Sequence, residues 1–261
     1  MLLRETGFSF GGVHSRDDMG LIYAEKDGHI VIPEIRRNAY QIAGMSGTVL
    51  MPGEAWQTFF IEGTLYPAEE PRTQAEAQAL LRDVSAWLTA GGGPSAGRQR
   101  LIFDYEPEVY YEAELSTQSK WSLRNWFGGE LPIRFTAQPF AWNVQESEAS
   151  RELTGGGSIS VSVDTNLPAP LKLTVEGISG TLTSLSVGGI RLEGMSLGSG
   201  QRLVVDTAPP AGATIGGQSA MRYVKSFAPV MLHNGANSVQ VTLGFSGSGR
   251  ARVTAAARGR W

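Results

Sequence analysis

Four glutamates, Glu106, Glu108, Glu112 and Glu114, fall within nine residues and could in principle do acid–base chemistry. Two carboxylates facing one sugar cleft are the minimum requirement of a glycoside hydrolase. Apolar and polar residues alternate over residues 109–115, which predicts a half-buried strand with Glu112 and Glu114 on its polar face. A carboxyl group becomes a useful general acid in a buried, apolar setting, which a polar strand face does not offer. We therefore interpret the four glutamates as solvated residues rather than as a catalytic pair.

The histidines, serines and glycines are not spaced as in known metal sites, nucleophile motifs or phosphate-binding loops. His14, His29 and His233 are not spaced as metal ligands, and the chain contains no cysteine. No Gly-x-Ser-x-Gly motif is present, and the glycine-rich residues 91–97 lack the Gly-Lys-Ser/Thr of a phosphate-binding loop. We therefore expect no catalytic, metal or cofactor site, and a protein that is not an enzyme.

The length indicates the number of domains, and the charge and hydropathy argue against nucleic acid and membranes as partners. A chain of 261 residues can form two domains of ordinary size. A formal net charge of −3 does not favour general binding of nucleic acid or of an anionic membrane surface. No apolar run approaches the roughly 20 residues of a membrane span, so we expect no membrane partner.

The periodicity predicts a mainly β fold of two β-sandwich domains. Short alternating segments are separated by glycine-rich turns, and Ile159, Val161 and Val163 alternate with serines. Residues 146–157 turn polar and end in three glycines, which is typical of a domain boundary. We place the first domain at residues 1–145 and the second at residues 146–261.

One helix is predicted, over residues 73–90. Thr73 can cap its start and Glu76 follows three residues later, as in a capping box. Gly91 and Pro94 follow its end. The helix should cover one face of the first sandwich with an apolar face at helical spacing, formed by Ala77, Leu80, Leu81, Val84, Trp87 and Leu88.

Aromatic residues crowd the second half of the first domain. Trp121, Trp126 and Phe127 lie within seven residues, and Tyr110 precedes them on the alternating strand. This is more aromatic surface than one small core needs, and aromatic side chains are the usual anchors of protein interfaces. The sequence leaves core and interface open as alternatives for Trp121, Trp126 and Phe127.

The order of several motifs is distinctive. In the first domain, the apolar strand of residues 101–103 precedes an Asp104-x-x-Pro107 turn, a Tyr-Tyr-x-Ala strand over residues 110–113 and a Pro139-Phe140 closure. In the second, Leu232, Gly235 and Asn237 form a Leu-x-x-Gly-x-Asn pattern. This order resembles the siphophage distal tail proteins, whose N-terminal domain forms a ring and whose C-terminal domain is galectin-like.

The resemblance has one local departure. The family usually has Ile-Pro-Gly-Arg-x-Gly where this chain has Ile42-Ala43-Gly44-Met45-Ser46-Gly47. Both glycines are kept, and glycine supplies the positive φ that such a turn needs. The role of the missing arginine in a subunit contact is not carried over.

The resemblance implies a structural virion protein. Such proteins form a homo-hexameric ring that joins the tail tube protein to the tail-tip hub of the baseplate, with DNA passing through the lumen without specific binding. The protein would lie at the distal end of the virion tail, after assembly in the host cytoplasm. Tyr110, Trp121, Trp126 and Phe127 are then candidate subunit-interface residues. Glu112 and Glu114 are candidate lumen-facing residues, since an acidic wall repels phosphate.

Two other functions are alternatives. A galectin-like domain could make the protein a carbohydrate-binding adhesion module. Galectins bind sugar with a His-x-x-x-Arg strand and a stacking tryptophan, and here the second domain has only His233 and Trp261. A β-sandwich hydrolase is the other alternative, for which the sequence offers no catalytic constellation.

Overall fold

The chain divides into two compact units, Met1–Ala141 and Trp142–Trp261. The computed structural model describes residues 7–26, 33–36, 39–40, 46, 49–50, 55–89, 97–116, 122–123 and 129–261. The predicted mainly β class, with β-sandwich architecture, is confirmed. The boundary between the units, at residues 141 and 142, falls inside the continuous strand Gly129–Asn143. It lies a few residues before the boundary that the composition predicts, between residues 145 and 146.

The first unit is built on an antiparallel sheet with a helix against its core. Its elements are β1 (Phe8–Phe10), β2 (Val13–His14), β3 (Leu21–Glu25), β4 (Ile35–Arg36), β5 (Ala39–Tyr40), β6 (Val49–Leu50), β7 (Ala55–Trp56), β8 (Phe59–Pro67), α1 (Gln74–Leu88), β9 (Gln99–Phe103), β10 (Val109–Leu115), β11 (Ser122–Leu123) and β12 (Gly129–Asn143). The main sheet runs β2-β1-β9-β10-β12-β8-β3, with β11 beside β12. Strands β4 and β7 form one separate pair, and β5 and β6 form another.

The predicted helix is confirmed, and its start follows from capping. The Thr73 hydroxyl accepts a hydrogen bond from the Glu76 amide at 3.2 Å, and the Glu76 carboxylate accepts one from the Arg72 amide at 2.8 Å. One open amide of the first helical turn, that of Glu76, and the amide just before the cap, that of Arg72, are thereby satisfied.

The buried face of α1 is narrower than the apolar pattern predicts. Ala77, Val84, Trp87 and Leu88 are buried, whereas Leu80 and Leu81 are only half-buried at the margins. The helix therefore meets the core mainly through Val84, Trp87 and Leu88, with Leu80 packed against its edge.

Aromatic rings fill the core beneath α1. Phe8 contacts Tyr23 edge-on at 5.1 Å and stacks on Trp87 at 5.5 Å between ring centroids. Phe135 meets Phe8 at 5.6 Å from β12. Edge-on and offset stacks are the preferred geometries of aromatic pairs, so this cluster ties α1 to strands β1, β3 and β12.

Gly63 on β8 makes room for the ring of Tyr23. A Cβ atom at Gly63 would overlap Cε2 of Tyr23, whose ring is buried in the core. We expect Gly63→Ala to destabilise the first unit by about 1–3 kcal/mol, since the ring must shift into an already packed core. Thermal unfolding followed by circular dichroism measures this, with Thr64→Ala as the neighbouring control. Equal midpoints for the two variants would contradict the prediction.

The second unit contains two sheets. Its strands are β13 (Ser147–Leu153), β14 (Gly156–Val163), β15 (Ala169–Ser179), β16 (Leu182–Val187), β17 (Ile190–Leu197), β18 (Arg202–Asp206), β19 (Gly212–Ile215), β20 (Gln218–Ser219), β21 (Val224–Ser226), β22 (Met231–Leu232), β23 (Gly235–Phe245) and β24 (Arg250–Ala257), with a 3₁₀ turn at Met221–Tyr223. One sheet runs β13-β24-β15-β18-β19-β20 with β22 beside β15, and the other runs β14-β23-β16-β17-β21.

Both sheets of the second unit contribute to one core. Leu173 and Val253 from the first sheet share an apolar cluster with Val161, Leu185 and Val241 from the second. Alternate residues of each strand point into this cluster, as in a sandwich. The finer prediction, that the sandwich is galectin-like, stays a prediction.

Candidate subunit interface

Strand β10 carries three of the residues predicted to have a role. Glu112 and Glu114 are exposed, as the alternation predicts. Tyr110 was predicted to share their face, but it is only 5% exposed, with the Arg100 guanidinium 4.6 Å from its ring centroid. Its ring therefore has little surface left for a neighbouring subunit.

The other predicted interface aromatics cannot be placed. Trp121, Trp126 and Phe127 lie outside the described residues. Their part in a subunit contact stays a prediction.

Other aromatic side chains are exposed on the outer face of β8 and on the preceding strand β7. Trp56, Phe60 and Tyr66 are 46%, 49% and 38% exposed. Along β8, Phe60 and Tyr66 point away from the core, because the residues between them alternate inward and outward. From β12, Phe140 meets Trp56 edge-on at 6.1 Å. We call these four residues, together with Arg134, the outer stripe.

Arg134 is held in the outer stripe by its neighbours. It lies opposite Glu62 in the register of β12 and β8, and its guanidinium carbon is 3.6 Å from the Phe60 ring centroid. The Arg134 Nε atom lies 3.1 Å from Glu62 Oε1, an ion pair rather than a well-aligned hydrogen bond. Lys26 Nζ lies 3.2 Å from Glu62 Oε2. Ion pairs this exposed stabilise the fold by less than about 1 kcal/mol each, so their main effect is to orient Arg134 over Phe60.

The composition of the outer stripe is typical of an interface. Tryptophan, tyrosine, phenylalanine and arginine are the residue types enriched at the centres of protein contacts. Single exposed apolar residues are ordinary, whereas Phe60 with Arg134 and Trp56 with Phe140 form two ring contacts at the surface. Tyr66 is separated from Phe60 along β8 by Glu62 and Thr64. The alternation of β8 was visible in the sequence, yet the contacts of Phe60 with Arg134 and of Trp56 with Phe140 depend on strand pairing.

Several titratable groups of the first unit serve structure. Burial raises the pKa of Tyr23 and of Tyr105 far above its usual range, and the Glu25 carboxylate adds to both shifts. Burial raises the pKa of Tyr111 to about 12, helped by the negative charges of Glu106 and Glu25. These phenols stay protonated at neutral pH and cannot act as bases there.

The described residues form neither a metal-ligand cluster nor a membrane-spanning helix. Within the described residues, no group of three or more histidine or carboxylate side chains could hold a metal ion. The helices in the described part of the chain include none long and apolar enough to cross a membrane.

Comparison with known proteins rests on structure. No protein-family model and no curated protein matches the sequence. The crystal structure of SPP1 Dit (gp 19.1), described as a paradigm of the hub adsorption apparatus in phages that infect Gram-positive bacteria, superposes with a TM-score of 0.67. The match covers 98% of this chain and 99% of that one, at 12% sequence identity. The chain has the fold of a phage distal tail protein.

The Asp104 motif has a clear structural role in this distal tail protein fold. One Asp104 oxygen accepts a hydrogen bond from the Gly7 amide at 2.9 Å, and the other lies 2.9 Å from His14 Nε2. The Asp17 amide donates to His14 Nδ1 at 3.0 Å, so the Nε2 atom carries the proton that points to Asp104. Asp104 and His14 thereby fasten the end of β9 to strands β1 and β2.

The Leu-x-x-Gly-x-Asn motif builds a turn in the second unit of the distal tail protein fold. The Asn237 side chain accepts from the His233 amide at 2.9 Å and donates to the His233 carbonyl at 2.7 Å. Gly235 has a φ of 88°, a conformation that favours glycine. The motif residues therefore serve the turn before β23.

His233 and Trp261, the residues considered for carbohydrate binding, have different structural environments. The backbone of His233 belongs to the turn that Asn237 bridges. The Trp261 indole donates a hydrogen bond to the Asn143 side chain at 2.5 Å, and its ring is partly exposed. A glycan site in this domain remains a hypothesis.

Proposed function

We propose that this protein is a structural, non-enzymatic component of a siphophage tail, located at the distal end of the virion. The observation that carries the proposal is the correspondence with SPP1 Dit over 98% of the chain, which includes both units. SPP1 Dit is described as a hub adsorption apparatus protein. A fold shared from end to end favours a shared architectural role more than a match to one common domain would.

We further propose that the protein assembles into a hexameric ring. Six copies form a closed ring, assembled in the host cytoplasm, that contacts the tail tube protein on one side and the tail-tip hub protein on the other. Such a ring repeats a heterologous contact, in which one surface of a protomer meets a different surface of its neighbour. The outer stripe is one candidate surface, and Trp121, Trp126 and Phe127 remain candidates.

The lumen of this ring would pass DNA without binding it. Glu112 and Glu114 are exposed side by side on one face of β10 and could line the lumen. Carboxylates facing the passage repel the phosphate backbone, and the net charge of −3 favours the same behaviour. We therefore expect no measurable retention of double-stranded DNA by the assembled ring at physiological salt.

Light scattering and negative-stain microscopy of the full chain test the ring. We expect annular particles with the mass of six chains at high protein concentration. Phe60→Asp should shift the mass towards that of the monomer, because a hot-spot contact is worth about 2 kcal/mol or more and the introduced charge would be buried unpaired. Gln78→Asp, on the exposed face of α1, is the matched control.

Each result has a distinct meaning. A wild-type protein that stays monomeric at all concentrations and shows no annular particles would contradict the ring. Normal rings from Phe60→Asp would instead exclude the outer stripe as the contact and leave Trp121, Trp126 and Phe127 as candidates.

A further inference from the structure

A second surface of the first unit contains a cationic hollow. It lies where the turn between β1 and β2 meets the start of β9, and its volume is about 330 Å³. The Gly11 amide donates to the Arg100 carbonyl at 3.1 Å, which holds the turn against β9. We call this the arginine hollow, and its lining residues are Gly11, Gly12, Arg98, Gln99, Arg100 and Glu112.

Both arginines of the hollow are held in place by neutral groups. With the Gln138 amide oriented so that its oxygen faces Arg98, the Arg98 guanidinium donates to that oxygen, with Nε at 3.1 Å, and Arg100 lies over the Tyr110 ring. Both side chains are exposed, and neither has an ion pair with a carboxylate of the described residues. Glu112 lines the same hollow opposite Arg100, so a single carboxylate only partly offsets two oriented guanidinium groups, and the excess positive charge is suited to bind a further carboxylate.

The same unit has two adjacent carboxylates whose charge is opposite to that of the arginine hollow. Glu69 and Glu70 lie in the turn between β8 and α1, and both side chains are exposed. Among the described residues of this unit they are adjacent acids with neither a hydrogen bond nor an ion pair. Two unpaired carboxylates side by side are opposite in sign to the hollow, in which two guanidinium groups face the single carboxylate of Glu112.

The arginine hollow and the Glu69–Glu70 turn lie near opposite ends of α1. The Trp87 indole donates to the Phe10 carbonyl at 2.9 Å, which places the end of the helix next to Gly11. Glu69 and Glu70 precede the start of the helix at Gln74. Thirteen residues separate Gln74 from Trp87, which at 1.5 Å per residue is about 20 Å. One copy therefore cannot close the contact on itself.

We propose that Glu69 and Glu70 of one copy bind in the arginine hollow of the next copy. This contact is heterologous, as a ring requires, and it rests on the ring architecture proposed above. Because the charges are opposite, the arginine hollow of one protomer pairs with the Glu69–Glu70 turn of its neighbour, so all protomers of the ring face the same way around it.

Charge reversal tests the contact in the full-length protein. In the variant Arg98→Glu/Arg100→Glu, the hollow of one copy is negative and repels Glu69 and Glu70 of the next copy. In the variant Glu69→Lys/Glu70→Lys, the turn of one copy is positive and repels Arg98 and Arg100 of the next copy. We expect each variant alone to assemble at least about tenfold more weakly than wild type in light scattering, because like charges at an interface repel. Raising the salt concentration should weaken wild-type assembly as well.

Recombining the charges makes the test specific. In an equal mixture, a ring in which the two variants alternate contains only attractive pairings, since each intact surface meets its intact partner and the reversed surfaces attract each other. The mixture and the fourfold variant should both recover rings. Arg82→Glu and Asp83→Lys, at exposed positions of α1, are the controls for surface charge alone, and thermal unfolding checks that every variant folds.

The outcomes separate the contact from the proposed function. A wild-type protein without rings would overturn the ring itself. Wild-type rings together with undiminished assembly of both charge-reversed variants would overturn this contact and leave the ring standing. Weakened variants that neither the mixture nor the fourfold variant rescues would show that the arginine hollow has a different occupant, which also overturns the contact.

Discussion

Trp87→Ala is expected to destabilise the first unit by about 3–5 kcal/mol, the range for removing a buried tryptophan side chain. Trp87 is 7% exposed, and its ring stacks on Phe8 with an interplanar angle of 22°. Its indole nitrogen donates to the Phe10 carbonyl. Alanine would leave a cavity under α1 and remove the donor to that carbonyl.

Two further variants separate packing from hydrogen bonding at this site. Trp87→Phe keeps most of the ring and loses the hydrogen bond, so it should cost about 1–3 kcal/mol. Gln78→Ala lies on the exposed face of α1 and should change stability by less than about 0.5 kcal/mol. Chemical unfolding followed by circular dichroism measures all three. Similar midpoints for Trp87→Ala and Gln78→Ala would mean that α1 contributes little to the core.

Leu173→Ala should destabilise the second unit by about 2–5 kcal/mol. Leu173 lies at the middle of β15, is fully buried, and pairs with Val205 of β18 and Ala255 of β24. Its neighbours on both sides are sheet residues that cannot move inward without breaking strand pairing, so the cavity should persist.

Lys172→Ala is the matched control for Leu173→Ala. Lys172 is the preceding residue of β15, so its side chain points to the opposite face of the sheet. We expect it to change stability by less than about 1 kcal/mol. Unfolding is best followed as separate transitions, because a chain with two cores need not unfold in one step. A cost for Lys172→Ala equal to that for Leu173→Ala would contradict the assignment of faces.

Local patterns in the sequence determined much of the secondary structure. The capping residues Thr73 and Glu76 and the spacing of apolar residues located α1 to within two residues at either end. Alternation located β10, and it also assigned the exposed faces of Glu112 and Glu114. These signals succeed because a helix cap and a strand period depend on residues a few positions apart.

The candidate surfaces depended on contacts between distant residues. Tyr110 has the alternation of an exposed residue, but the guanidinium of Arg100 from the adjacent β9 covers its ring. The outer stripe exists because β8 pairs with β12, which places Arg134 over Phe60 although 74 positions separate them in the sequence. The arginine hollow likewise combines the β1–β2 turn with β9 and β10.

The sequence by itself therefore determined the β class, the helix and the polar face of β10. Only the tertiary structure decided which exposed side chains stand together: it buries the Tyr110 ring beside Arg100 and leaves Phe60, Tyr66 and Trp56 exposed. The physical reason is that strand period is set within one strand, whereas strand order and register are set by burial of the whole core. A surface assembled from several strands is visible only once that order is known.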